Sequence, residues 1–150
     1  KIKNVKIIQS PIKGQVAQRL YGFSITSQKI ILQMDDDTIL TSSEMNKLYI
    51  KLKELGSGNV ISPLILDIDK KTNVTVIKKN IRNFLYDILN LILAGSKWGD
   101  KKMGTIAESG VVYGVDTSHL SNVSLIKRDW LSGCCLMMFK KDLMIIFQTD

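Results

Sequence analysis

Histidine and cysteine are almost missing from this chain. One histidine, His119, and two cysteines, Cys134 and Cys135, are all that 150 residues contain. The cysteines are adjacent and the histidine is far from them, so a Cys/His metal centre has little to stand on. Neighbouring cysteines close a strained ring, so no structural disulfide is expected. They lie in an apolar run and read as core thiols of a reducing compartment, which points to the cytoplasm. Acidic residues are also scarce: 14 against 21 basic ones, a formal charge of +7. That balance permits nucleic acid, an anionic membrane surface or anionic small substrates as partners. No aromatic-basic recognition pattern appears and the lysines are not gathered on one element, which argues against nucleic acid. No apolar run reaches the roughly 18 residues of a membrane span, and no signal peptide is visible. Internal repeats and low-complexity tracts are absent too. The length suits a single domain, residues 1–150, with a true core. A start at Lys1 and a finish at Asp150 suggest a piece of a longer protein.

The most telling stretch is Lys29 to Leu40, KIILQMDDDTIL. Its apolar half does not alternate, so it reads as a strand buried on both faces. It empties into three carboxylates, Asp35, Asp36 and Asp37. Adjacent carboxylates repel one another and are costly to leave unpaired in a dry site. Either water solvates them or a cation does. The plain reading is a solvated acidic loop ahead of a helix, where negative charge also suits the helix dipole. The sharper one is a divalent metal, Mg²⁺ or Mn²⁺, held by Asp35 and Asp37 together with a phosphate-bearing substrate.

Around this stretch the chain reads strand, helix, strand, helix, strand. Lys1 to Gln9 is expected as a first strand, ended by Ser10-Pro11. Gly14 to about Thr26 is expected as a helix with Val16, Leu20 and Phe23 on one stripe. Thr41-Ser42-Ser43-Glu44 is a capping box. The helix it opens carries Met45, Leu48, Leu52 and Leu55 on one face and stops at Gly56 and Gly58. Asn59 to Leu66 is expected as a third strand. Short connections of this order predict an α/β fold: a mostly parallel open sheet with helices on both faces. Ligands of such sheets bind beyond the carboxyl ends of the strands, where the aspartates lie. Further on, Asp67 to Thr72 is a polar turn and Asn73 to Lys79 a short strand. Ile81 to Ala94 is a helix, apolar nearly all round, expected to be buried rather than to lie on a membrane surface. Gly95 to Ser124 is a long polar loop, and Ser132 to Lys140 a last apolar strand.

The motifs have an order. Gly14-Gln15-x-x-x-Arg19-x-x-Gly22 precedes the strand into the Asp-x-Asp run. Ile61-Ser62-Pro63 follows it. Asp129-Trp130-Leu131-Ser132-Gly133 then leads into apolar and basic residues. This succession resembles the family 2 glycosyltransferases of GT-A fold, and is most similar to their rhamnosyltransferase-like members, which take part in cell wall polysaccharide biosynthesis. The resemblance implies an incomplete GT-A, Rossmann-like domain. It implies sugar transfer, with inversion, from a nucleoside diphosphate sugar to a glycan, lipid-linked or other hydroxyl acceptor. Peripheral association with the inner face of a membrane fits such acceptors. Asp35 and Asp37 match the metal and diphosphate motif, with Asp36 near the donor. Arg19 and Gln15 match positions beside the donor nucleotide. Asp129, Trp130, Ser132 and Gly133 match the acceptor side. The unit that holds the nucleotide base is not found before Lys1. The acidic pair that supplies the general base is not found before Asp150, so poor activity is expected of these residues alone and the catalytic base is left unassigned.

Two rivals remain open. In a haloacid-dehalogenase-type phosphatase Asp35 would be the nucleophile and Asp37 the acid/base. That motif wants Thr or Val where Ile39 stands, and its late acidic pair is only half matched by Gly99-Asp100. A basic nucleic-acid-binding module has the net charge in its favour and little else.

Overall fold

The computed structural model describes residues 5–67, 72–73, 84–85, 88–89, 92, 104–107, 110, 112 and 125–146. They fall in two units, described separately below: residues 1–61 with 134–150, and residues 62–133.

The first unit is built on strand β1 (Ile30–Met34), helix α2 (Ser42–Leu55), strand β2 (Val60–Ile61) and strand β5 (Cys135–Phe139), with helix α1 (Gln15–Ile25) before them and α3 (Lys140–Ile146) after. Sheet order is β1-β5-β2, and β5 runs antiparallel to both neighbours. The α/β class therefore holds, but the expectation of a mostly parallel sheet is corrected: every strand pairing among the described residues is antiparallel. The cause is the last apolar strand. β1 and β2 point the same way, since each runs antiparallel to β5. β5 inserts between them and takes the hydrogen bonds that a parallel pair would have made.

The register sets the core. Ile30 faces Phe139, Leu32 faces Met137, and Ile61 also faces Met137. Side chains alternate along a strand, so these residues share one face. Helix α2 lays Leu48 and Leu52 on that face, and Leu48, Leu52, Ile61 and Met137 form a buried cluster with Ile30, Leu32, Leu40 and Phe139 against it. Met45 and Leu55, expected on the same stripe, lie in the first and last turns of α2 and are 44% and 38% exposed. β1 is less enclosed than its unbroken apolar run suggested: only Ile31 is buried and Met34 is 45% exposed.

Helix α2 starts as the sequence says. The Thr41 hydroxyl accepts from the Glu44 amide at 3.2 Å, and the Thr41 amide donates to Glu44 Oε2 at 2.8 Å. The Thr41 hydroxyl donating to Glu44 Oε2 at 2.6 Å, and after it the Thr41 amide, hold the Glu44 carboxyl below its usual range. It stops at Gly56, whose positive φ of 76° lets its amide return to the Leu52 carbonyl at 2.9 Å. Helix α1 follows Gly14, but its stripe is rotated from the expected one. Val16 is 68% exposed, while Ala17, Leu20, Tyr21 and Phe23 are half-buried. The expected first strand is corrected as well: Val5 to Gln9 is not a strand, and Ile7 is 95% exposed. Apolar alternation makes a strand only where another strand supplies the ladder. Lys1 to Asn4 lie outside the described residues.

Helix α3 is pinned at its start from two sides. Lys140 Nζ donates to the Ser24 and Thr26 carbonyls at the end of α1, at 3.2 and 2.6 Å. The Asp142 carboxylate accepts from the Ser57 hydroxyl at 2.5 Å and the Gly58 amide at 2.8 Å, closing the turn between α2 and β2. These two bonds hold the Asp142 carboxyl below its ordinary value. A depressed folded-state pKa stabilises the fold above the unfolded value of 3.8, and that help is lost as pH falls through the folded value. Asp142→Ala should therefore be less stable than the parent at neutral pH, with the gap closing below the unfolded value. Urea melts across a pH series measure it, and a gap that does not change with pH would rule the carboxylate out as the cause.

In the second unit, strands β3 (Leu66–Asp67) and β4 (Thr72–Asn73) pair antiparallel; residues 68–71 of the expected polar turn lie outside the described residues. The rest of the expected Asn73 to Lys79 strand lies outside the described residues. So do His119, the Gly99-Asp100 pair, Asp150 and most of the Gly95 to Ser124 loop. Within the expected Ile81 to Ala94 helix, residues 84, 85, 88, 89 and 92 are helical. The expected burial is corrected at four of them: Phe84, Leu85, Leu89 and Ile92 are 57%, 55%, 52% and 70% exposed.

Candidate functional site

β1 delivers its last residues to the sheet end, and the chain turns there. The Asp35 amide donates to the Cys134 carbonyl at 2.9 Å, extending the β1–β5 ladder by one bond. The Thr38 amide then closes back onto the Asp35 carbonyl at 3.2 Å, making a tight turn with Asp36 and Asp37 at its tip. The Thr38 hydroxyl also reaches the Cys134 carbonyl at 3.4 Å. Cys134 thus holds the acidic loop through its backbone, a role that its thiol did not announce. Both cysteines are free; Cys135 is fully buried, and burial, with Cys134 beside it, pushes its thiol pKa up. It stays a protonated core side chain.

The three aspartates are not equivalent. Asp36 and Asp37 are exposed, while Asp35 is half-buried. Asp35 Oδ1 accepts from Arg19 Nη2 at 2.5 Å, and both side chains are 29% exposed. Helix α1 therefore crosses beside the end of β1 with Arg19 aimed at the acidic turn. The sequence placed both residues near one ligand but did not foresee the ion pair. Gln15, another expected donor-side residue, is exposed in the first turn of the same helix. Among the described residues no three His, Cys, Asp or Glu side chains converge on one point. Asp35 and Asp37 carry carboxylate oxygens, the hard donors that a divalent cation takes, and a full shell there would need further ligands from outside the described residues.

The acceptor-side candidates belong to the second unit, apart from Gly133's neighbours in β5. Asp129 is at work inside its own unit: its amide donates to the Gly104 carbonyl at 3.0 Å, and its Oδ2 accepts from the Ile106 amide at 3.1 Å. Gly104, at a φ of 71°, is buried, and a Cβ there would collide with the Arg128 side chain. This backbone clasp shows in the sequence only as an isolated glycine. Trp130 and Ser132 are half-buried and Gly133 is exposed.

A family model, Glycosyl transferase family 2, matches residues 1–106. The chain belongs to glycosyltransferase family 2. No curated protein and no solved structure matches it. Family 2 membership carries a glycosyltransferase activity in general, using a nucleotide-sugar donor and a glycoconjugate acceptor, commonly with a divalent metal. The match favours the glycosyltransferase reading over the phosphatase reading of the acidic run and over the nucleic-acid reading of the net charge. It spans Gln15, Arg19 and all three aspartates, and ends before Asp129, Trp130, Ser132 and Gly133. The family 2 assignment thus bears on the donor side of the chain. No helix among the described residues is long and apolar enough to cross a membrane.

Proposed function

We propose that this family 2 domain, residues 1–150, is the donor-binding part of a metal-dependent inverting glycosyltransferase, rhamnosyltransferase-like in its substrates. The observation that carries the reading is the acidic turn at the end of β1, fixed by Cys134 and Thr38 and faced by Arg19. Asp35 and Asp37 are the residues to hold Mg²⁺ or Mn²⁺ against a donor diphosphate, with Asp36 towards the donor ribose and sugar. A bound cation would neutralise the charge that builds on the departing diphosphate. Arg19 offers a planar guanidinium suited to phosphate oxygens, and Gln15 an amide on the same helix. Asp129, Trp130, Ser132 and Gly133 form the acceptor side, where Trp130 offers a ring face for a sugar. The proton of the acceptor hydroxyl needs a carboxylate base. Asp142 is not assigned to it, since its carboxylate is committed to Ser57 and Gly58.

The test is direct. The protein is incubated with UDP-, GDP- and dTDP-sugars and with phosphomonoesters, with and without Mn²⁺. Metal-dependent release of nucleoside diphosphate supports the reading. Hydrolysis of phosphomonoesters alone would overturn it.

The acceptor is proposed to be lipid-linked or otherwise at the inner face of a membrane. The helical positions 84, 85, 88, 89 and 92 share one face at helical spacing, and four of them are exposed apolar side chains. Lys78, Lys79 and Arg82 precede them in a chain of charge +7, which suits an anionic lipid surface. Vesicles containing phosphatidylglycerol should carry the protein upward in flotation at low salt. The Leu85→Glu/Leu89→Glu variant should stay behind. Equal flotation of the two would remove this helix from the proposal.

A further inference from the structure

Arg19 and a divalent cation want the same oxygen. The guanidinium sits on Asp35 Oδ1 at 2.5 Å, across 16 residues of sequence, with both side chains part-buried. It is the one cation paired with the acidic turn among the described residues, since the other ion pair joins Lys51 and Glu54 on α2. Three adjacent carboxylates repel one another, and Arg19 relieves that repulsion at the most buried of them. We propose that Arg19 is a placeholder: it occupies Asp35 while the donor site is empty, and moves onto the diphosphate when donor and cation arrive together. This inference rests on the donor-site reading above.

Chemistry supports the exchange. A guanidinium pairs with carboxylate and phosphate through the same kind of charged hydrogen bond, so a diphosphate bound at this turn would offer Arg19 an equivalent partner. A cation arriving alone finds its ligand oxygen taken and a positive charge beside it. A cation arriving with a diphosphate finds Arg19 rehoused and the oxygen released. Cation and diphosphate therefore help each other to bind, and the help is reciprocal. The residue acts as a positioning residue that keeps the site from filling with metal before the donor is present.

The experiment is equilibrium dialysis of Mn²⁺ against the whole chain, alone and with UDP, GDP or dTDP, counting protein-bound manganese. The parent chain should bind Mn²⁺ alone weakly, and much more tightly with the nucleotide that fits. Arg19→Ala should bind Mn²⁺ alone more tightly than the parent, on the order of tenfold, and should lose most of the nucleotide's enhancement. Arg19→Lys keeps the charge without the fork, so its affinity for Mn²⁺ alone should stay weak; this guards against a general loosening of the alanine variant. If Arg19→Ala binds Mn²⁺ alone no better than the parent and the nucleotide enhancement persists, the placeholder role is overturned and the donor site stands. If the parent binds no manganese with any nucleotide, the donor-site reading falls, and the placeholder with it.

Discussion

Asp37→Ala should abolish the stabilisation that Mn²⁺ and a nucleoside diphosphate together give this protein, and should cut metal-dependent release of nucleoside diphosphate from the donor by about a hundredfold or more. The argument starts from geometry. Asp37 is exposed at the tip of a turn that backbone bonds from Asp35, Thr38 and Cys134 hold in place. Removing its carboxylate leaves those bonds standing, so the fold should survive. What goes is one of the two oxygen ligands proposed for the cation. A metal acting on developing charge is worth several kcal/mol, and each ~1.4 kcal/mol is tenfold in rate. A ligand present at about a hundred times its Kd stabilises the folded state by about 2.7 kcal/mol, and the variant should forfeit that whole increment. Thermal melts with and without the two ligands measure it, with circular dichroism as the check on folding. Survival of the ligand-induced shift in the variant would put the cation somewhere else.

Leu52→Ala should be the most damaging single truncation in the first unit. Leu52 is fully buried at the centre of the cluster with Leu48, Ile61 and Met137, where α2 meets β2 and β5. Cutting a buried leucine to alanine loses transfer energy and leaves a cavity, together about 2–5 kcal/mol. That is a large share of the roughly 5–15 kcal/mol that holds a domain together. Val16→Ala is the control. Val16 is 68% exposed although its helical stripe reads as core, so its loss should fall within about 0.5 kcal/mol. Urea denaturation of both variants checks the pair. Comparable losses would mean that α1 buries the face expected from its sequence.

The family was legible before any coordinates. The run into Asp35-Asp36-Asp37, the Arg19 motif, the Ile61-Ser62-Pro63 motif and the Asp129 to Gly133 run carried the family resemblance, and the family match over residues 1–106 agrees with it. The capping box at Thr41 and Glu44 and the stop at Gly56 were legible because each is chemistry between near neighbours. The sheet's sense was not. A last strand that slides between two earlier ones leaves no mark in local periodicity, so antiparallel pairing with β5 replaced the parallel sheet that strand–helix–strand order suggests. Burial of the 84–92 helical positions was misjudged for a related reason, because apolar composition shows what a helix is able to bury against and not whether anything is there. The Asp129 clasp on Ile106 and the Asp142 clamp on Ser57 escaped notice because a carboxylate looks the same in sequence whether it faces a ligand or a backbone amide.

By itself, then, the amino-acid order determined where helices α1 and α2 start and stop, which strand ends in acid, and which family the chain belongs to. Those are properties of neighbours along the chain, set by hydrogen bonds and hydrophobic spacing over a few residues. Only the tertiary structure decided that β5 divides β1 from β2, that the Cys134 carbonyl holds the acidic turn, and that Arg19 rests on Asp35. Each joins groups separated by 16 to 100 or so positions, and such meetings depend on how whole elements pack rather than on any local pattern.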